Sequence, residues 1–234
     1  KNLDKLQLKE NNLNALFNYF GSDKGSEVKN PYNKHSTENF GHSFGDFYEK
    51  HLAKFKKNKI NLLEIGTWKG ASIASFFYYF SDANIFCIDR NFKFDFKSNR
   101  VFFYNCDTRN KEQLLKFLKF LDKKKCKTFD IIIDDGSHIL SDISKNFVFF
   151  FKFLKPGGFY IIEDYNHPKY YDYLNDLGSK EPLIEEIFHN LEKKKNFKSS
   201  IFDINTQKEL FNSINQIYKY KGKMISDSIN ISDI

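Results

Sequence analysis

A chain of 234 residues with 41% hydrophobic residues can bury the core of one α/β domain of ordinary size, and its three cysteines, Cys87, Cys106 and Cys126, form an odd set without metal-type spacing. That cysteine pattern excludes a disulfide framework and a zinc cluster, and with no apolar run near the roughly 20 residues of a membrane span and no signal-peptide core it predicts a soluble, cytoplasmic protein without a membrane partner. The formal charge of +7 invites a nucleic-acid partner, but of 37 basic residues only Arg90, Arg100 and Arg109 are arginine, the side chain that base-edge and bidentate phosphate recognition favours, so solvated lysine faces are the better reading.

In chain order, residues 3–20 carry Leu3, Leu6, Leu13, Leu16, Phe17 and Phe20 at near-helical spacing and predict one amphipathic helix ended by Gly21. Residues 22–45, rich in Gly, Ser, Asn and His, predict a long loop, and residues 48–57 a short helix with a basic end. From residue 60 an alternation begins: strand 60–66, helix 71–80, strand 84–89, strand 101–105, helix 111–121, a strand ending at Asp135, and a Phe-rich helix 139–154. A Pro156-Gly157-Gly158 turn and a strand 159–163 complete it. The remainder predicts a helix at 182–195, an antiparallel edge from 199–204 and 217–221, and a helix around 207–215. Strands alternating with helices predict a Rossmann-like α/β fold, a mostly parallel sheet with helices on both faces. Residues 1–58 read as a helix and lid-like loop extension, residues 59–234 as the core. The final Ile231-Ser232-Asp233-Ile234 reads as an interrupted strand, so the expectation is that the chain continues past it.

The densest chemistry is Asp134-Asp135-Gly136-Ser137-His138, which follows the apolar run Phe129 to Ile133. Two carboxylates and an imidazole at the end of a buried strand are tolerated where a cation, a proton transfer or a ligand compensates them. At the first strand-to-helix turn, Glu64, Gly66 and Gly70 bring backbone amides close to a ligand, yet G-x-x-x-G is neither the dinucleotide fingerprint nor a Walker motif. Glu64 suits a ligand with a cationic group. Asp89 ends the second strand where an acid can accept from ribose hydroxyls, and Asp107 follows the third. Acids at the carboxyl ends of consecutive strands share one edge of a parallel sheet.

These residues resemble a class I S-adenosylmethionine-dependent methyltransferase, with Glu64-Ile65-Gly66 through Gly70 similar to its first motif and Asp89 to its ribose-binding acid. Four segments, GSDKG at 21–25, HSFGDFY at 42–48, DIIIDDGSH at 130–138 and PGGFYIIED at 156–164, resemble the metal-dependent sugar O-methyltransferases of the mycinamicin and macrocin type. The resemblance covers about residues 13–165 and implies a divalent cation (Mg²⁺, Mn²⁺ or Fe²⁺) on Asp135, Glu163 and Asp164, with His138 as general base. Relatives carry H-x-Y-x-x-x-Y where this chain has His42, Phe44 and Tyr48, so one ring hydroxyl is lost. The segment after Asp164, Tyr165-Asn166-His167-Pro168, also departs from the family, and His167 is an outlying candidate near the metal.

Lys24 and His42 lie in the long loop, where two readings stand side by side, closure over cofactor or acceptor and plain loop solvation. Three oxygen donors from neighbouring strand ends independently favour a hard or borderline divalent ion, because adjacent strands lie about 4.8 Å apart. The expected activity is O-methylation of a sugar hydroxyl, on a nucleotide-linked sugar destined for a surface polysaccharide. Two alternatives are a secondary-metabolite glycoside or catechol-like diol as acceptor, and a basic nucleic-acid-binding protein on the same fold. The apolar face of residues 3–20 suggests self-association. Asp134 has no assigned role.

Overall fold

The computed structural model describes residues 2–10, 12–29, 35, 37–91, 96–226 and 229–234. Five parallel strands, β1 (Ile60–Ile65), β2 (Ala83–Asp89), β3 (Val101–Asn105), β4 (Phe129–Asp134) and β5 (Leu154–Ile162), form one sheet in the order β3-β2-β1-β4-β5. The order reverses between β1 and β4, and a doubly wound sheet opens a crevice at such a point beyond the carboxyl ends of its strands. Helices α1 (Leu13–Phe20), α2 (Gly45–Leu52), α3 (Ala71–Tyr79), α4 (Lys111–Lys123) and α5 (Leu140–Phe150) are followed by the short α6 (His167–Tyr170), then α7 (Ile184–Glu192) and α8 (Ile204–Ser213). A two-stranded antiparallel pair, Ile225–Ser226 with Ile229–Asn230, lies outside the main sheet. No helix among the described residues is long and apolar enough to cross a membrane.

Strand residues alternate between the two faces, and the buried clusters follow that period. Leu62, Ile85, Cys87, Ile131, Ile133 and Ile161 pack with Leu13, Leu16, Phe17, Phe44, Tyr48 and Leu52 of the first 58 residues and with α3. Leu63, Ile65, Phe86, Ile88 and Ile132 take the opposite face with Phe117 and Leu121 of α4 and Phe150 of α5. A third cluster joins Leu140, Ile143 and Phe147 of α5 to Ile184, Ile187 and Leu191 of α7 and Leu210 of α8. The Phe-rich segment is thus a core face. All three cysteines are free and buried.

Several expectations change. The stretch 3–20 is not one helix: a 3-10 turn at Leu3–Lys5 is followed by extended chain, and α1 starts afresh because the Asn12 side chain accepts the Ala15 N–H at 3.1 Å. The long loop is present, although residues 30–34 and 36 lie outside those described. Pro156-Gly157-Gly158 is no turn between elements but an irregularity within β5, where pairing with β4 jumps from Phe129↔Leu154 to Ile131↔Phe159. The expected antiparallel edge does not join the sheet. At 199–202 the Ser199 hydroxyl accepts the N–H groups of Ile201 and Phe202, each at 3.0 Å, so local hydrogen bonds replace a ladder. Near 217–221 only the single bridge Lys221↔Asp233 forms among the described residues.

The alternation also separates the paired acids. Asp135 follows Ile133 onto the α1–α2 face, whereas Asp134 follows Ile132 onto the α5 face. There Asp134 is 2% exposed, its Oδ2 has no hydrogen bond, and burial, opposed by Asn146, pushes its pKa up to about 7. A carboxyl whose folded pKa lies above its unfolded value favours folding while protonated and loses that contribution as pH rises through about 7. Asp134→Asn removes the titration, so it should stabilise the protein by about 2–3 kcal/mol more at pH 8 than at pH 5. That is a further gain of roughly 4–12 °C in thermal midpoint for a domain of this size. Equal gains at both pH values would refute the assignment.

Candidate functional site

The same period that buries the core carries three acids to one place. Glu64 pairs with Ile133 and Ile133 with Ile161, so Glu64, Asp135 and Glu163 continue the face of Leu62, Ile133 and Ile161 at the carboxyl edge of β1, β4 and β5. The ladder runs one residue past the strands, with Asp135 N–H donating to Ile65 O at 2.9 Å and Glu163 N–H to Asp134 O at 3.0 Å. Both acids are therefore fixed by backbone.

Between Asp135 and Glu163 lies the Lys24 ammonium. It is 1% exposed, donates to Glu163 Oε2 at 2.9 Å and contacts Asp135 Oδ2 directly. Its loop is held by Phe44 N–H to Lys24 O at 2.9 Å, Ser43 N–H to Gly25 O at 3.1 Å and His42 N–H to Asp23 O at 2.6 Å. Burial alone would lower the lysine pKa, but Asp135 and then Glu163 outweigh it and hold it well above its usual value. Burial likewise raises Asp135, and Lys24 and His138 overcome it, leaving this carboxyl ionised below its usual range. Glu163, whose Oε1 accepts from the Tyr48 hydroxyl of α2, is pushed up to about 8 by burial against the pull of Lys24.

Asp164 turns away from this pair on a left-handed backbone, φ +53°. It is buried, its Oδ1 has no hydrogen bond, and burial with repulsion from Asp135 and Glu163 raises its pKa well above the usual range. Its Oδ1 is 3.5 Å from His42 Nδ1 and 3.7 Å from His167 Nε2. His138, also left-handed at φ +57°, places Nε2 3.8 Å from Asp135 Oδ1. Burial lowers the pKa of all three imidazoles, to about 3 for His42 and about 4 for His167, so they are neutral near pH 7. The C-terminal residues close the site from below: Asp233 accepts the Asp164 N–H at 2.6 Å through its carbonyl and the Asn166 N–H at 2.9 Å through Oδ1, and Ser232 Oγ lies 3.0 Å from His42 Nδ1.

A cleft of about 350 Å³ opens beside the acids, lined by Ser22 to Lys24, Gly66 to Lys69, Asp89, Asp107, Asp135 and His138 among others. Gly66, at φ +81°, runs against the Asp135 carbonyl, which an added Cβ would meet at 2.0 Å, so only glycine fits this crossing of the two loops. Glu64 lies beneath, 0% exposed with neither oxygen hydrogen-bonded, and burial lifts its pKa to about 7. Asp89 Oδ2 accepts the N–H groups of Thr67 and Trp68 at 3.0 and 2.9 Å, and its Oδ1 that of Asn91 at 2.8 Å. It shapes the glycine turn as well as lining the cleft. Asp107 is engaged in a two-point ion pair with Arg109, at 2.9 and 2.6 Å. Gly70, at φ +73°, caps α3 and is absent from the lining.

The structure thus gathers Lys24, His42, Asp135, His138, Glu163 and Asp164 in one cluster, with Glu64 beneath and Asp89 and Asp107 across the cleft. Four contributors were not assigned from sequence. The sequence marks Tyr48 only as a retained hydroxyl, His167 as an outlying candidate, and Ser232 and Asp233 as part of a strand. A polar Ser-Asp pair inside an apolar C-terminal run was the signal for the last two.

Residues 63–165 match the family model of a methyltransferase domain. The chain is 30% identical over 142 residues to mycinamicin VI 2''-O-methyltransferase of Micromonospora griseorubida, covering 56% of this chain and 34% of that protein. It is 28% identical over 130 residues to demethylmacrocin O-methyltransferase of Streptomyces fradiae, covering 53% and 32%. The chain spans about a third of the length of these curated relatives. Among solved structures, the MycE methyltransferase of the mycinamycin biosynthetic pathway, in complex with Mg, SAH and mycinamycin VI, superposes with a TM-score of 0.62 at 22% identity, covering 80% of this chain and 48% of that one. Residues 63–165 thus carry a methyltransferase domain, and the chain is similar over about half its length to the mycinamicin- and macrocin-type sugar O-methyltransferases.

Proposed function

We propose that this protein methylates a sugar hydroxyl, with S-adenosylmethionine as donor and a divalent cation on Asp135, Glu163 and Asp164. The observation that carries this reading is the meeting, beside the Gly66 cleft, of two buried carboxylates, Glu163 and Asp164, and the partly buried Asp135 with one neutral imidazole, His138. The donors suit such an ion by type, since they are all carboxylate oxygens and Asp164 Oδ1 is buried without a hydrogen bond, and the ion would take the place of the Lys24 ammonium now on Asp135 and Glu163. The cleft suits the methyl donor: Gly66 permits close backbone approach, and the buried Glu64 carboxyl precedes it by two residues at the end of β1. When bound, the donor supplies an electrophilic methyl group and the cation supplies positive charge that lowers the pKa of an acceptor hydroxyl.

The chain's own residues do the rest. His138, neutral at pH 7, accepts the hydroxyl proton at Nε2, and Asp135 at 3.8 Å stabilises the imidazolium that results. Tyr48 holds Glu163 through one oxygen and Lys24 through the other, fixing its orientation. Asp89 and the amides of Thr67 and Trp68 set the turn against which the donor lies. The acceptor we favour is a sugar hydroxyl, on a nucleotide-linked sugar or on a glycoside of the kind the relatives methylate. Asp135→Asn and His138→Ala should each depress methyl transfer by 10²-fold or more, in the range of a lost acid–base or charge-stabilising group, while leaving circular dichroism unchanged.

The test is turnover of labelled methyl donor, after chelation and after re-addition of single metals, against nucleotide sugars, macrolide glycosides and catechols. Metal-dependent transfer to a sugar is expected. Full activity in the chelated protein, or turnover on catechols alone, rejects the reading.

Lys24 gives an independent check. Lys24→Met leaves Asp135 and Glu163 without their counter-charge, which should cost about 3–5 kcal/mol in metal-free buffer. A divalent ion on the same carboxylates should restore much of that loss, raising the thermal midpoint of the variant more than that of the unaltered protein. An equal rise in both would place the ion elsewhere.

A further inference from the structure

Asp164 is faced by more nitrogen than an all-oxygen cation site needs. Its unpaired Oδ1 lies 3.7 Å from His167 Nε2, and the His167 ring meets the His138 ring edge to face with centroids 5.1 Å apart. One candidate donor atom from each of His138, Asp164 and His167 lies within 4.8 Å of the other two. His167 Nε2 lies 3.1 Å from the Ile231 carbonyl, so an ion held on that nitrogen would replace this hydrogen bond, and His42 is engaged by Ser232. A buried carboxylate oxygen without a partner, flanked by two imidazoles, is a set of donors awaiting a cation.

We propose that His138, Asp164 and His167 form a second metal site, of two imidazoles and one carboxylate, that takes a borderline transition-metal ion such as Zn²⁺ or Co²⁺ and not Mg²⁺, and that occupation of this site inhibits methyl transfer. Bonds of about 2.0–2.2 Å to nitrogen and oxygen place neighbouring donors of a tetrahedral ion roughly 3.4 Å apart, so the three side chains need close by at most about 1.4 Å. Imidazole is a poor partner for Mg²⁺, which prefers oxygen and dehydrates reluctantly, and a good one for Zn²⁺ and Co²⁺. Three protein donors leave a position for water. The inhibitory consequence rests on the proposed role of His138: an ion that takes its lone pair leaves no base, and the same ion draws Asp164 away from the carboxylate set. The metal site itself does not depend on that role.

The test titrates Co²⁺ into the purified full chain and follows visible absorption. The expected result is the intense d–d band of four- or five-coordinate Co²⁺ bound by imidazole. His167→Ala, and independently His167→Gln, should abolish the band and weaken Co²⁺ binding by roughly tenfold or more, while Mg²⁺ binding measured by calorimetry shifts less than about twofold. In Mg²⁺-supported methyl transfer, Zn²⁺ should inhibit the unaltered protein, and each variant, measured against its own rate without Zn²⁺, should need roughly tenfold more Zn²⁺ for the same fractional inhibition.

A weak octahedral spectrum, or Co²⁺ binding that survives both substitutions, overturns the site. Equal Zn²⁺ inhibition of variants and unaltered protein overturns its inhibitory role. A His167-dependent band in a protein that methylates no acceptor would uphold the metal site and reject the proposed function, whereas sugar methylation without the band would do the reverse.

Discussion

Carboxylates gathered at the edge of a parallel sheet repel each other and lose hydration, and the site of this protein depends on how that cost is met. One ammonium, from Lys24, sits between Asp135 and Glu163 and is as fully buried as Glu163, while Asp135 keeps some exposure. Because an ion pair in a low dielectric stabilises only when its geometry is tight, everything that fixes Lys24 becomes part of the site. Its loop is pinned to residues 42–44 by backbone hydrogen bonds, and α1 and α2 on either side are seated in the same core as β1 and β4. The first 58 residues are for this reason structural walls of the centre as well as a covering segment.

A second dependence runs from the C-terminal residues. Asp233 is fully buried and holds the turn after β5 through the amides of Asp164 and Asn166, while Ser232 orients His42. The left-handed backbone of Asp164 points its carboxylate away from Lys24 and toward the histidines, and the left-handed backbone of His138 does the same for its imidazole. Non-glycine residues rarely adopt that conformation unless their surroundings over-determine it. Here the surroundings are contributed by three separate stretches of chain. The site therefore divides into an ammonium-compensated half, Lys24 with Asp135 and Glu163, and an imidazole-flanked half, Asp164 with His42, His138 and His167.

Much of this was legible in the sequence where it depends on local period. The strand positions, the apolar alternation along β1, β2 and β4, and the buried Phe-rich α5 follow from residue spacing, and adjacency of β4 and β5 follows from the alternation of strand and helix. The errors fell where local hydrogen bonding competes with periodicity. Asn12 restarts a helix that the leucine spacing alone would run through, Ser199 diverts a strand-like stretch, and Pro156 to Gly158 bend within β5 and do not end it.

The residue types at the carboxyl ends of β1, β4 and β5 are legible along the chain, because an acidic residue after an apolar run marks where the strand leaves the core. Asp134 and Asp135 must part for an equally local reason, since successive residues of a strand point to opposite faces. What each acid meets is set by packing in three dimensions. Lys24 reaches Asp135 across 111 positions of sequence and Glu163 across 139, and His167 and Asp233 close on the cluster from segments with no shared period. A local pattern fixes a side chain's face; its counter-charge is chosen by packing between distant elements, which no spacing rule along the chain can express.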